Sequence, residues 1–209
     1  MKIGVLCESS SAAKNPDIVA ALEGRGHEIL NIGMRGPDDP AVLNYIHTSF
    51  MAGLLLHLKA VDLIVSGCGT GQGFAIGACQ YPGVFCGQIR NALDAWLFAY
   101  INNGNAISLS LNKDYGWAAD VDLKFIFDAY FSAEGGAGYP AHRRQVQQQA
   151  RELLYTVSEV THRTFPEILQ QMEPEVLRQC AKNEMFMTLV RAASDERPAK
   201  RIFLERVGA

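Results

Sequence analysis

Five short apolar runs recur along the first two thirds of the chain: residues 3–7 (IGVLC), 28–33 (EILNIG), 62–67 (DLIVSG), 83–87 (GVFCG) and 106–111 (AISLSL). Each is rich in β-prone residues and near-continuously apolar, the pattern of strands covered on both faces. The stretches between them, 16–25, 40–58, 72–80, 91–101 and then 118–131, carry apolar residues at helical spacing. Pro16 and Pro40 stand where the first turn of a helix tolerates proline, and Gly24 and Gly26 where a helix ends. Regular alternation of strand and helix predicts a doubly wound, three-layer α/β sandwich around a five-stranded parallel sheet. Ligands of such sheets sit beyond the carboxyl ends of the strands, near a reversal of strand order. The loops after Cys7, Gly67, Gly87 and Leu111 are therefore the places to seek chemistry.

Beyond residue 140 the pattern is helical. Val146, Ala150, Leu153, Leu154 and Val157 fall on one helical face, as do Val176, Leu177 and Cys180, and Phe186, Leu189 and Val190, with Pro166 and Pro174 between them. The glycine-rich stretch from Glu134 to Pro140 marks a boundary. The expectation is an α/β domain over 1–140 and a helical extension over 141–209. That extension is too short to bury its apolar faces alone and must pack on the body or on a partner subunit.

Composition narrows the class. The 209 residues are 48% hydrophobic and 20% charged, with net charge −3, which is ordinary for a globular chain and excludes disordered and collagen-like readings. Residues 142–209 hold 11 of the 19 Lys and Arg and 9 of the 22 Asp and Glu. Neither part is basic enough to predict nucleic-acid binding. No uncharged apolar run reaches about 18 residues, so no membrane span is expected, and the N-terminus lacks the apolar core of a signal peptide. Cys7, Cys68, Cys79, Cys86 and Cys180 form an odd, scattered set without C-x-x-C pairs. That set predicts reduced thiols and a cytoplasmic protein.

The segment Ser66-Gly67-Cys68-Gly69-Thr70-Gly71-Gln72-Gly73-Phe74 follows the third strand. Its glycines let backbone N–H groups approach a ligand and lead into a helix, which favours a phosphate or an oxyanion formed during reaction. It is not a Walker loop, because no lysine follows the last glycine. It is not a dinucleotide fingerprint, because Gln72, Phe74 or Ile76 takes the place of the last glycine in every frame. Nor is it a cysteine-phosphatase loop, because Phe74 occupies the arginine position. Cys68 sits in this loop at the end of a buried strand, a setting suited to a thiolate base that takes a proton from carbon. The other four cysteines read as small core thiols.

S-G-C-G-T-G-Q-G followed by A-I-G-A-C-Q-Y-P-G-V resembles the C-G-T-G-x-G…A-x-x-x-P-G-[IV] region of the ribose-5-phosphate isomerase B / galactose-6-phosphate isomerase family. M-K-I-G-V-L-C-E-S-S resembles its first strand, where the family has C-D-H. Asn44-Tyr45-Ile46-His47 resembles D-Y-P-[HD], and Asn102-Asn-Gly-Asn105 resembles N-D-x-N. The likeness spans roughly residues 1–145. It implies an aldose–ketose isomerase acting on a pentose or hexose, phosphorylated as in ribose-5-phosphate, through an enediolate and without cofactor or metal. Cys68 would move the proton between C1 and C2, the backbone from Gly69 through Gly71 and Gln72 to Gly73 would hold the enediolate, and Thr70 would assist ring opening. Ser9, Tyr45, Asn102, His142, Arg143 and Arg144 would contact the substrate. A homodimer or homotetramer is implied, because family members build each site across a subunit boundary.

The departures bear on chemistry. Ile101 stands at the position of the ring-opening histidine and cannot transfer a proton. Glu8 and Ser9 replace the family's aspartate and histidine, and Ala141-His142-Arg143-Arg144-Gln145 keeps the basic character of the phosphate-binding segment but shifts its arginines. Candidates for the missing proton shuttle are His47, Glu8 and His142; His27, His57 and His162 read as structural or solvated. Two other classes are open: a sugar-phosphate or nucleotide binding module whose catalysis has decayed, and a flavodoxin-like electron carrier. The latter lacks a flavin-stacking aromatic in its first loop, Glu8-Ser-Ser-Ser-Ala-Ala.

Overall fold

The computed structural model describes all 209 residues. Strands β1 (Lys2–Leu6), β2 (Glu28–Asn31), β3 (Leu63–Cys68), β4 (Cys86–Ile89) and β5 (Ala106–Ser110) form one parallel sheet in the order β2-β1-β3-β5-β4. The chain runs outward from β1 to β2 and then returns to β3 on the other side. The reversal therefore lies between β1 and β3, whose carboxyl ends carry Glu8 and Cys68.

Helices cover both faces. On one lie α1 (Asn15–Leu22), α4 (Ala92–Leu97) and α5 (Ala119–Ser132), sealing a core that includes Ile3, Val5, Val65, Ile107 and Phe127. On the other lie α2 (Tyr45–His57) and α3 (Gln72–Ala78), and outside them α7 (Phe165–Gln171), α8 (Pro174–Ala181), α9 (Glu184–Ala192) and α10 (Pro198–Val207). Phe165 and Phe203 pack on Phe50 of α2, with ring centroids 6.4 and 5.9 Å apart. The last four helices thus share one continuous core with the sheet. Between these groups runs α6 (Arg144–Thr161), whose Leu153, Leu154, Val157 and Val160 face outward, Val160 being 77% exposed. No helix is long and apolar enough to cross a membrane.

Three boundaries differ from the sequence reading. Residues 40–44 are not helical: α2 begins at Tyr45 because the Asn44 side chain accepts the N–H groups of Ile46 (3.0 Å) and His47 (3.2 Å), a strong N-cap. Pro40 therefore sits in the preceding loop. The fourth strand lies at 86–89 rather than 83–87. Gly83 turns the backbone at φ +73°, and Asn105 holds the turn through the Gly83 carbonyl and the Phe85 N–H, both at 2.8 Å. The helix expected over 91–101 ends at Leu97 and widens into a π turn at Phe98–Asn102.

Candidate active site

Cys68 ends β3 beside the sheet reversal, with 8% of its surface exposed. Its strand neighbour Gly67 must be glycine, since a Cβ there would stand 2.2 Å from the Leu109 carbonyl oxygen. The glycine loop that follows is held from several directions. Ser10 Oγ accepts the Gly69 N–H (2.9 Å) and donates to the Glu8 carboxylate. The Gly69 carbonyl accepts N–H groups from Asn112 (3.0 Å) and Lys113 (2.9 Å). Gln88 Nε2 donates to the Thr70 carbonyl (2.8 Å), and Ser108 Oγ donates to the Gly71 carbonyl.

This pattern divides the loop's donors. Gly69 N–H belongs to Ser10, Gly71 N–H to the Cys68 carbonyl (3.2 Å) and Gln72 N–H to Thr70 Oγ1 (3.3 Å). The expectation that the Gly69, Gly71 and Gln72 amides face a ligand is thereby corrected, because an N–H spent inside the protein cannot stabilise an oxyanion as well. The N–H groups of Thr70, Gly73 and Phe74 have no partner within the chain. The loop's carbonyls are drawn into the protein, so three donors are left without a partner in the loop that follows the thiol.

Around the sulfur, Thr70 Oγ1 lies 3.9 Å from Sγ. The Tyr45 ring and Sγ both crowd the α-carbon of Gly73: a Cβ there would meet the ring at 3.3 Å and the sulfur at 3.5 Å. Glu8, only 3% exposed, is held by Ser9 Oγ (3.3 Å) and Ser10 Oγ, while Ser9 N–H donates to the Leu43 carbonyl (2.9 Å). The structure thus gathers Cys68, Thr70, Gly73, Glu8, Ser9 and Tyr45. Burial pushes the Cys7 thiol up to about 11, and pushes Cys86 and Cys180 higher still. Those three remain neutral core groups.

His47 is a correction. Its Nδ1 accepts the Asn44 N–H (3.0 Å) to complete a capping box. Two residues beyond Tyr45 it lies about 200° round the helix, facing α8. Burial lowers its pKa below the ordinary value, Glu175 of α8 pulls it up and Lys182 pushes it down. An imidazole fixed there is not placed to serve Cys68.

Asn102, His142, Arg143 and Arg144 are not brought to Cys68 within one chain: they lie at the opposite edge of the sheet. Gly136 and Gly138 N–H groups donate to the Ala99 (2.9 Å) and Tyr100 (2.8 Å) carbonyls, and Arg151 donates to the Ile101 (2.7 Å) and Gly136 (2.8 Å) carbonyls. Arg144 Nε donates to Ala137 O (2.6 Å). This cluster adjoins the strand beginnings, where Asn105 N–H meets the Phe85 carbonyl. Five-residue β5 separates that edge from Cys68 by about 13 Å. A cavity of about 430 Å³ opens there beneath α6, lined in part by Phe85, Phe98, Ile101 and Arg151.

Sequence reasoning missed Ser10, Gln88 and Asn112. Ser10 stands two residues beyond Glu8, and Gln88 is paired with Ser108 across β4 and β5. Their roles depend on three strand ends meeting, which no local pattern reports. No cluster of three or more His, Cys, Asp or Glu side chains is arranged to hold a metal ion.

Residues 3–148 match the family described as Ribose/Galactose Isomerase. No curated protein matches the chain. Among solved structures, a 4-deoxy-L-threo-5-hexosulose-uronate ketol-isomerase complexed with a tartrate superposes with TM-score 0.94 at 30% identity, covering 100% of both chains. A ribose-5-phosphate isomerase from Vibrio parahaemolyticus gives 0.91 at 37% identity, covering 100% of this chain and 98% of the other. The ribose-5-phosphate isomerase B of Clostridium thermocellum gives 0.62 at 22% identity, covering 77% of this chain and 99% of its own, a likeness of fold.

Proposed function

Because the chain belongs to the ribose/galactose isomerase family, we propose that it is a ketol isomerase that moves a proton between C1 and C2 of an open-chain sugar derivative, with Cys68 as base. The thiolate takes the C2 proton of the aldose; the electron pair forms the C1=C2 bond, and the carbonyl oxygen becomes an oxyanion. The free N–H groups of Thr70, Gly73 and Phe74 hold that oxygen. Glu8 carries the O2 hydroxyl proton to O1, and the proton on sulfur returns to C1 to give the ketose. The observation that carries this reading is that Sγ lies against Gly73, in a loop that leaves three amides unpartnered.

Ile101 bears on the substrate. With Ile101 in place of the family's ring-opening histidine, the preferred substrate is one that reaches the site open. The 4-deoxy-5-hexosulose uronate named for the neighbour at TM-score 0.94 lacks the 4- and 5-hydroxyls through which an aldehyde closes furanose and pyranose rings. A uronate of that class is the substrate favoured here, with ribose-5-phosphate the competing one. Asn102, His142, Arg143 and Arg144 of a second copy complete the site in a homodimer, whose formation covers the apolar face of α6.

The test is aldose-to-ketose conversion of deoxyketouronate and of pentose and hexose phosphates, run in deuterated water. An isomerase introduces deuterium at the transferred position; a binding module does not. Cys68→Ala is expected to lower kcat by ~10²–10⁴-fold with an unchanged circular dichroism spectrum. A variant that keeps most of its turnover removes the cysteine from the mechanism.

A further inference from the structure

The loop from Ile32 to Asn44 joins β2 to α2 and forms a wall of the candidate site, since it delivers Tyr45 onto Gly73 and holds Ser9 through the Leu43 carbonyl. Nothing within this loop is regular structure, so its course depends on what holds it. Three side chains from the C-terminal helices do so. Asn183, buried at the start of α9, donates to the Ile32 carbonyl (2.6 Å). Gln179 of α8 donates to the Val42 carbonyl (2.7 Å), three residues before Tyr45. The Cys180 thiol donates to the His47 carbonyl just beyond (3.6 Å). The contacts fall at the beginning of the loop, near its end and on the first turn of α2.

We infer that helices α8 and α9 belong to the active site as its outer support, with Gln179 a positioning residue that fixes the Tyr45 wall beside Cys68. The inference rests on Cys68 being the reactive centre. The matched family region ends at residue 148, before these helices begin, and the Clostridium structure covers only 77% of this chain. The two neighbours above 0.9 cover all of it. The support is thus an addition that can give a shared catalytic loop a different substrate wall.

Gln179 separates the donor from the bulk of the side chain. Gln179→Glu keeps the shape but cannot donate to a carbonyl, whereas Gln179→Lys keeps a donor on a stem of similar reach. Two readouts apply: the alkylation rate of Cys68 by iodoacetamide, resolved from the other cysteines by peptide mass, and KM and kcat on the best substrate. Gln179→Ala and Gln179→Glu are expected to speed alkylation about three- to ten-fold and to raise KM by a similar factor, with kcat within about two-fold, as befits one hydrogen bond. Gln179→Lys is expected to behave as the parent. Loss of folding stability alone would not separate Glu from Lys. Equal alkylation in all four proteins overturns the inference. So does Glu matching the parent while Lys does not. If the parent converts no sugar but the alkylation pattern appears, the proposed reaction fails and the support stands.

Discussion

Gly73 shows how much of the site depends on one missing side chain. It lies in the first turn of α3 with ordinary backbone angles, so alanine fits the helix there and favours it by about 0.5–1 kcal/mol. Yet a Cβ would press on the Tyr45 ring at 3.3 Å, shifting it by a few tenths of an ångström, and would fill the space beside the Cys68 sulfur in ordinary contact at 3.5 Å. Gly73→Ala is therefore expected to keep or raise Tm while lowering kcat/KM by about 10²-fold, the scale of a small misplacement at a reacting centre. Unchanged turnover would show that sulfur and ring have room to part. Gly67 contrasts: there alanine collides with fixed backbone, and stability is lost first. At this scale the sequence was legible where chemistry is local. Cys68, Thr70 and the glycines announce themselves in nine consecutive residues. Which amides remain free did not, because Ser10 takes the Gly69 N–H from the loop after β1, while the Asn112 N–H and Gln88 set the course of the loop by holding its carbonyls.

Among the elements, strand and helix alternation was readable because both faces of the sheet are covered, which makes the strands continuously apolar. The errors have specific causes. Asn44 caps α2 four residues after the proline that marks its start in the sequence pattern, and an imidazole used as a capping acceptor, as in His47, is indistinguishable in sequence from one used as a base. The C-terminal helices showed their apolar spacing but not their destination. Phe203, fully buried between Phe50 and Phe186, places α10 in the same core as α2. Phe203→Ala should therefore cost about 3–5 kcal/mol, read as a lower urea midpoint. Because the core is continuous, unfolding should remain a single transition by fluorescence and circular dichroism. Separate loss of the C-terminal helices would show that they form an independent unit.

At the scale of the molecule, the residues resembling one family site divide between the two ends of a single sheet. Cys68, Glu8 and Tyr45 stand at the carboxyl edge, and Asn102 and Arg143 at the amino edge. A β-sheet does not fold back on itself over that distance, so one chain cannot join them; a two-fold pair can, each copy offering one edge to the other. The outward Leu153, Leu154 and Val160 of α6 provide apolar surface for such a pair. Complementation tests this without a structure of the dimer. Cys68→Ala and the double variant Asn102→Ala, Arg143→Ala should each be inactive alone. Unfolded and refolded together in equal amounts, half the dimers are mixed, and each mixed dimer has one site free of both changes. About a quarter of parental activity should then return. If every site were built within one chain, each would carry one lesion or the other and mixing would restore nothing. Recovery that vanishes when Leu153→Asp is added to both chains would tie the shared site to the α6 face.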